Sequence, residues 1–224
     1  MADEPLLDHI EVTTGAEPVA AVIWLHGLGA SGNDFEPIVP ELRLPADLPV
    51  RFIFPHAPLR PVTINNGMVM RAWFDITGFD LASGIELADI DVSGQEALRF
   101  VAAQAAAGIP SQKIVLAGFS QGGAIALHAG LRHDQRLAGV MALSTFLPVP
   151  EQLAAEASRE NRGLPVFYGH GENDPTIPVM LAIQSRDRLA GAGFRVEWHE
   201  YDMGHQVSYE EIAHISAWLQ RVLR

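Results

Sequence analysis

Residues 116–130 read LAGFSQGGAIALHAG: an apolar run, a serine boxed by glycines, then a second apolar run. Gly118-Phe119-Ser120-Gln121-Gly122 is a G-x-S-x-G turn, the arrangement that lifts a nucleophilic serine above a sheet where a strand passes into a helix. Such an elbow strains its central residue, and side chains two positions to either side would collide. Gly118 and Gly122 remove those side chains, and Gly123 adds room for the helix to pack near the strand. A helix opening at Gln121 also aims backbone N–H groups and the positive end of its dipole at the serine. A tight strand-to-helix turn wants glycine even without chemistry, so the motif decides nothing until partners are found.

A serine nucleophile needs a histidine base within hydrogen-bond reach, held in turn by a carboxylate. In a sheet of this kind the acid and then the base follow the serine along the chain, each just after a strand. "HGENDPTIP" follows the apolar run at 165–169, and "DMGHQVS" follows the run at 195–201. Asp174 and His205 are therefore the candidates. Glu172 is the serious rival acid, whereas Asp202 is too near His205 in sequence to approach its ring from behind. His26 and His56 precede the serine, His128, His133 and His214 fall in or near helical stretches, His170 comes before the acid, and His199 lies inside a strand. Each of these reads as a packing or loop-bonding residue. Acyl transfer also needs two fixed donors for the developing oxyanion. One is the N–H after the nucleophile, at Gln121; the other is expected from the glycine-rich "WLHGLGASGNDF" at 24–35. Read instead as a phosphate cradle, that loop lacks a Lys-Ser/Thr continuation and Rossmann glycine spacing. No H-E-x-x-H pair occurs, and no metal is expected.

The elements that must carry these residues follow from periodicity. Strands are predicted at 19–25, 50–54, 114–118, 138–143, 165–169 and 195–201, with a weaker one near 7–13. Most are apolar at consecutive positions, as parallel strands covered on both faces are. Helices are predicted at 93–107, 121–133, 179–191 and 208–223. Ser93 with Glu96 reads as a capping box opening the first, which Gly108 and Pro110 end. Ser208 reads as the N-cap of the last, with Glu210 and Glu211 in its first turn and Arg221 and Arg224 at its end, all matching the helix dipole. The alternation implies an α/β chain with a mainly parallel, doubly wound sheet. Residues 55–90 break it with prolines, glycines, "NNGM" and "WFDITGFD". That stretch is too long for a connector and reads as a loop-and-hairpin excursion over the C-terminal edge of the sheet.

Composition bounds the rest. The 224 residues, 48% hydrophobic and 19% charged, suffice for one α/β domain with a sizeable core. A formal net charge of −12 argues against a nucleic-acid surface and against attraction to an anionic membrane. The absence of cysteine excludes disulfides, thiolate metal sites and a cysteine nucleophile. The acidic start MADEPLLDHIEV is unlike a signal peptide, and no apolar run approaches a membrane span. A soluble, cytoplasmic protein with no stable membrane insertion is the expectation.

Five separated blocks, "HGLGASGNDF", "RAWFDI", "GFSQGGAIAL", "GENDPTIP" and "MGHQVS", together resemble the phospholipase/carboxylesterase family of α/β-hydrolases, which includes the acyl-protein thioesterases. The resemblance runs from about Val19 to the C-terminus. It implies an α/β-hydrolase fold, with helices on both faces of the sheet, over a single domain at 1–224, and a short lid-like insertion at about 60–90. It implies a serine hydrolase that cleaves esters or thioesters without a cofactor, with Ser120 as nucleophile, Asp174 as acid and His205 as base. It puts the oxyanion donors on the backbone of Leu28 and Gln121 and an apolar acyl channel under the lid. Leu28, Phe74 and Ile76 are the expected acyl contacts, although "AWFDI" reads equally well as a buried strand, with Trp73 in the core. Expected substrates are small-molecule or lipid-like acyl esters and thioesters, acylated proteins among them. A lysophospholipase and a non-catalytic binding protein on the same fold are the competing readings. The apolar lid makes a homodimer one expected assembly beside a monomer.

Overall fold

The computed structural model describes residues 5–78 and 84–224. In chain order its strands are β1 (His9–Thr13), β2 (Ala20–Leu25), β3 (Val50–Pro55), β4 (Leu59–Val62), β5 (Met68–Arg71), β6 (Ile114–Phe119), β7 (Gly139–Leu143), β8 (Pro165–Gly171) and β9 (Arg195–Tyr201). Its helices are α1 (Leu87–Ala106), α2 (Gln121–Arg132), the single turn α3 (Leu153–Glu156), α4 (Val179–Gly191) and α5 (Tyr209–Val222). Seven strands form one sheet in the order β1-β3-β2-β6-β7-β8-β9. All neighbours run parallel except β1, which pairs antiparallel with β3 at the edge. This is the doubly wound, mainly parallel sheet that the alternation of apolar runs predicts.

Strand alternation sends side chains to two cores. In β2, Ala21, Ile23 and Leu25 face a cluster built with α1, α2 and α4, while Ala20, Val22 and Trp24 face a second cluster. That second face is covered by α5 and by three short 3-10 turns between Gly32 and Leu42, through Phe35, Val39 and Leu42. Helix α5 buries Ile212, Ile215, Trp218 and Leu219, each contributing roughly 1.5–3 kcal/mol by removing apolar surface from water. Ser208 caps it as expected, its hydroxyl accepting from the Glu211 N–H at 3.1 Å.

One expectation needs correction. Helix α1 opens at Leu87, not at Ser93. Ser93 lies inside the helix and buried, and its hydroxyl donates to the carbonyl of Trp73; Glu96 pairs with Arg99 instead of closing a capping box. A long-range partner for the serine outweighed the local capping pattern. Glu211 lies in the first turn of α5, as expected, and is fully buried there. The excursion between β3 and α1 carries a hairpin of β4 and β5, paired antiparallel. Of the lid expected at about 60–90, residues 79–83 lie outside the described residues.

The chain winds outward in both directions from β2, since β3 lies on one side of it and β6 on the other. Open α/β sheets bind ligands at the carboxyl ends of strands flanking such a reversal. Here those ends lead into the glycine-rich loop after β2 and into Ser120 after β6.

Candidate active site

Ser120 sits between β6 and α2 with φ 55° and ψ −120°, a left-handed backbone that a non-glycine residue adopts under strain. The surroundings hold it there. Its N–H donates to the Leu143 carbonyl at 2.9 Å, and its own carbonyl accepts from Thr145 Oγ1 at 2.7 Å and from the Ala124 N–H at 3.1 Å. The flanking glycines are required by close approach: a Cβ on Gly118 would stand 2.1 Å from the Gly122 carbonyl oxygen, and one on Gly122 would stand 2.2 Å from that of Leu25.

The structure brings Ser120, His205 and Asp174 together from three different strand ends. His205 Nδ1 donates to Asp174 Oδ2 at 2.7 Å, which leaves Nε2 to accept from Ser120 Oγ at 3.0 Å. The other carboxylate oxygen of Asp174 accepts the backbone N–H groups of Thr176 and Ile177 at 2.8 and 2.9 Å. Asp174 is thus buried and fixed in rotation, aimed at the ring. Glu172, the rival acid, is exposed, and Asp202 accepts from the Asn173 side chain at 2.9 Å.

Leu28, Phe74, Ile76, Ser120, Gln121 and His205 line a common cavity of about 360 Å³, with Phe35, Phe119, Phe146 and Ile177 adding to its apolar wall. Among the described residues no protein acceptor engages the backbone N–H of Leu28 or of Gln121. The segment "AWFDI", read equally as core or as pocket, is both: Trp73 is packed in the core while Phe74 and Ile76 border the cavity.

Several supporting residues carried no recognisable signal in the sequence. The Gln121 side chain accepts from the Trp73 N–H at 3.0 Å and donates to the Phe74 carbonyl at 2.8 Å, clamping that segment to the serine elbow. Trp73 Nε1 donates to the His26 carbonyl at 2.9 Å and so ties the same segment to the glycine-rich loop. His26 accepts from the Ala57 N–H at Nε2, which puts the proton on Nδ1, where it donates to the Gly27 carbonyl at 2.7 Å. Burial pushes His26 down to about 4, so it stays neutral and keeps this tautomer at neutral pH. Phe119 packs on the His205 ring with centroids 4.7 Å apart. Behind the acid, His170 donates to the Ile177 carbonyl at 2.9 Å, and burial holds its pKa below the usual histidine range. Apart from the bond between the adjacent His26 and Gly27, these pairs join residues 7 to 86 positions apart, and only their three-dimensional contact gives them meaning.

Glu211, in the first turn of α5, is buried against β8 at Gly169. Neither of its carboxyl oxygens has a hydrogen-bond partner among the described residues. It occupies the space a side chain at position 169 would need: a Cβ on Gly169 would stand 2.0 Å from Glu211 Oε1. Burial pushes its carboxyl up to about 8, and the Ser208 backbone N–H opposes that push without closing a full hydrogen bond. Among the described residues no group of three His, Asp or Glu side chains converges as a metal site, and no helix is long and apolar enough to cross a membrane.

An elbow serine, a buried carboxylate–histidine pair and an apolar cavity at the switch point of a doubly wound sheet define a hydrolase of the α/β type. The chain matches the Phospholipase/Carboxylesterase family over residues 7–223, and it belongs to that family. It is 36% identical to acyl-protein thioesterase 1 of Cryptococcus neoformans, over 97% of this chain and 98% of that one. Acyl-protein thioesterase 1 of Mycosarcoma maydis is 37% identical, over 96% and 95% of the two chains. Among solved structures, Arabidopsis thaliana SOBER1 superposes with a TM-score of 0.86 at 31% identity, covering 92% of this chain and 99% of that one. The protein is therefore an enzyme of the hydrolase class.

Proposed function

We propose that this enzyme cleaves acyl esters and thioesters through a covalent acyl-enzyme formed on Ser120. The observation that carries the reading is the continuous chain from Asp174 Oδ2 through His205 to Ser120 Oγ, at 2.7 and 3.0 Å. Ser120 Oγ attacks the acyl carbonyl carbon as its proton passes to His205 Nε2. The Asp174 carboxylate holds the ring and stabilises the imidazolium that forms. The negative charge on the former carbonyl oxygen falls to the free N–H groups of Leu28 and Gln121. The tetrahedral centre collapses, the bond to the leaving oxygen or sulfur breaks, and His205 returns its proton to that atom. Water then repeats the sequence on the acyl-enzyme, giving the free acid and restoring Ser120.

Leu28, Phe74 and Ile76, with Phe146 and Ile177, supply an apolar wall for the acyl chain. The relatives named acyl-protein thioesterase support an acylated protein among the substrates, presented to a cavity that opens at the strand ends. The chain reads as one hydrolase domain over 1–224, with the excursion at about 60–90 as its lid.

Ser120→Ala tests the reading. It should keep the circular dichroism of the parent and lose at least about 10⁴-fold in kcat on ester and thioester substrates, as removal of a triad serine does elsewhere. A fluorophosphonate should label the parent at Ser120 and leave the variant unlabelled. Comparable turnover in a folded variant, or a label on another residue, would overturn the assignment. Failure of the parent to react at all would point to the non-catalytic binding protein.

A further inference from the structure

A broad groove lies at the opposite end of the sheet from Ser120, where β7, β8 and β9 begin. It encloses about 630 Å³, and Arg136, Arg195 and Arg221 line it together with Gln112, Glu197 and Trp218. Three arginines in one groove are out of character for a chain with 15 cationic and 27 acidic residues. Two of them are held in place by backbone. Arg136 donates to the carbonyls of Glu160 and Arg162 at 3.2 and 2.9 Å, and Arg195 donates through Nε to the carbonyl of Gly163 at 2.8 Å. Both guanidiniums therefore dock on one turn, at 160–163. Arg221 pairs with Glu197, whose other oxygen faces His199 Nε2 at 3.1 Å. Among the described residues that is the one carboxylate lining the groove, so this lining keeps a net positive charge.

A guanidinium carries five N–H donors, and the bonds above leave most of them uncommitted on each arginine. In particular, both terminal nitrogens of Arg195 stay without a protein acceptor among the described residues, with Nε anchored. That is the geometry for bidentate capture of a tetrahedral oxyanion. Gln112 adds a neutral amide at the same groove.

We propose that this groove is a second ligand site, taking a compound with a di- or polyphosphate group on Arg136, Arg195 and Arg221, remote from the hydrolytic centre. The shared chemistry is the polyphosphate, which reaches the site either free or as part of a nucleotide. Its size admits a nucleotide diphosphate as well as pyrophosphate.

Isothermal titration calorimetry on the full chain tests this with inorganic pyrophosphate, ADP and adenosine. Pyrophosphate and ADP should bind with Kd below about 1 mM, weakening as salt is raised, while adenosine gives no heat. Comparable affinities would identify free polyphosphate as the source; ADP at least tenfold tighter would identify a nucleotide. Arg136→Gln with Arg195→Gln should lose at least tenfold in affinity. Arg221→Glu keeps both ties to the 160–163 turn while reversing one charge, and it should lose affinity to a similar extent with parental circular dichroism and turnover. No binding by the parent, or parental affinity in the folded Arg221→Glu protein, would overturn the proposal.

Discussion

Replacing Glu211 by glutamine should make the protein more stable in a pH-dependent way, and the size of the effect follows from where the carboxyl sits. Folding takes this group from water into a site with no hydrogen-bond partner among the described residues and moves its pKa from the ordinary 4.5 to about 8. A carboxyl whose pKa is raised binds its proton more tightly in the native state than in the unfolded chain. Between about 4.5 and 8 the native state keeps a proton that the unfolded chain has released, so stability falls as pH rises through that window. Each unit is worth up to about 1.4 kcal/mol, and the whole window roughly 4–5 kcal/mol. Glutamine has the same shape and never ionises, so the variant should match the parent near pH 5 and exceed it near pH 8. In a chain of this length that difference corresponds to a melting temperature about 10–15 °C higher at pH 8. Thermal unfolding of both proteins at half-unit steps from pH 5 to 8.5 is the assay. Two curves that stay parallel across the window would refute the reasoning, because they would mean that Glu211 is solvated or paired in the native state.

The site yields three sharper perturbations. Gln121→Met leaves the buried Trp73 N–H and Phe74 carbonyl without partners, at roughly 1–3 kcal/mol each, so urea unfolding should shift to lower concentration and kcat/KM should fall with it. A variant with parental stability and turnover would show that the clamp is dispensable. Gly122→Ala drives a Cβ to 2.2 Å from the Leu25 carbonyl and 2.6 Å from that of His26; both are backbone and cannot step aside, so loss of soluble, folded protein by circular dichroism is expected. Asp174→Asn keeps an oxygen for the Thr176 and Ile177 N–H groups but turns an amide on His205 Nδ1, favouring the wrong tautomer. Its kcat should drop by about 10⁴-fold with little change in melting temperature, and a drop under tenfold would remove Asp174 from the acid role.

Much of the site was legible because its signals are local. The G-x-S-x-G turn needs only five adjacent residues to mark a strand-to-helix elbow, and the clearance at Gly118 is set within that stretch, whereas the clearance at Gly122 is set by the distant carbonyls of Leu25 and His26. Asp174 and His205 were proposed by position, each in a loop after an apolar strand, and the fold brings both to Ser120. Strand periodicity alone was enough to foresee a parallel sheet, since consecutive apolar residues leave a strand no face to show to water. Local reasoning failed where a distant partner won. Ser93 and Glu96 spell a capping box, yet α1 opens at Leu87 because the serine hydroxyl finds the Trp73 carbonyl. Ser208 and Glu211 also stand three apart, yet only the serine caps: the glutamate turns inward to the space left at Gly169.

The amino-acid sequence by itself determined the order of strands and helices, the elbow and the chain order of Ser120, Asp174 and His205. Each depends on residues near one another along the chain and on backbone sterics that act at short range. Tertiary structure alone decided which face each helix covers, the clamp from Gln121 to Trp73 and Phe74, the neutral state of His26 and the stranded carboxyl of Glu211. Those depend on which groups lose water together when the two faces of the sheet are covered, and desolvation is a property of the packed whole.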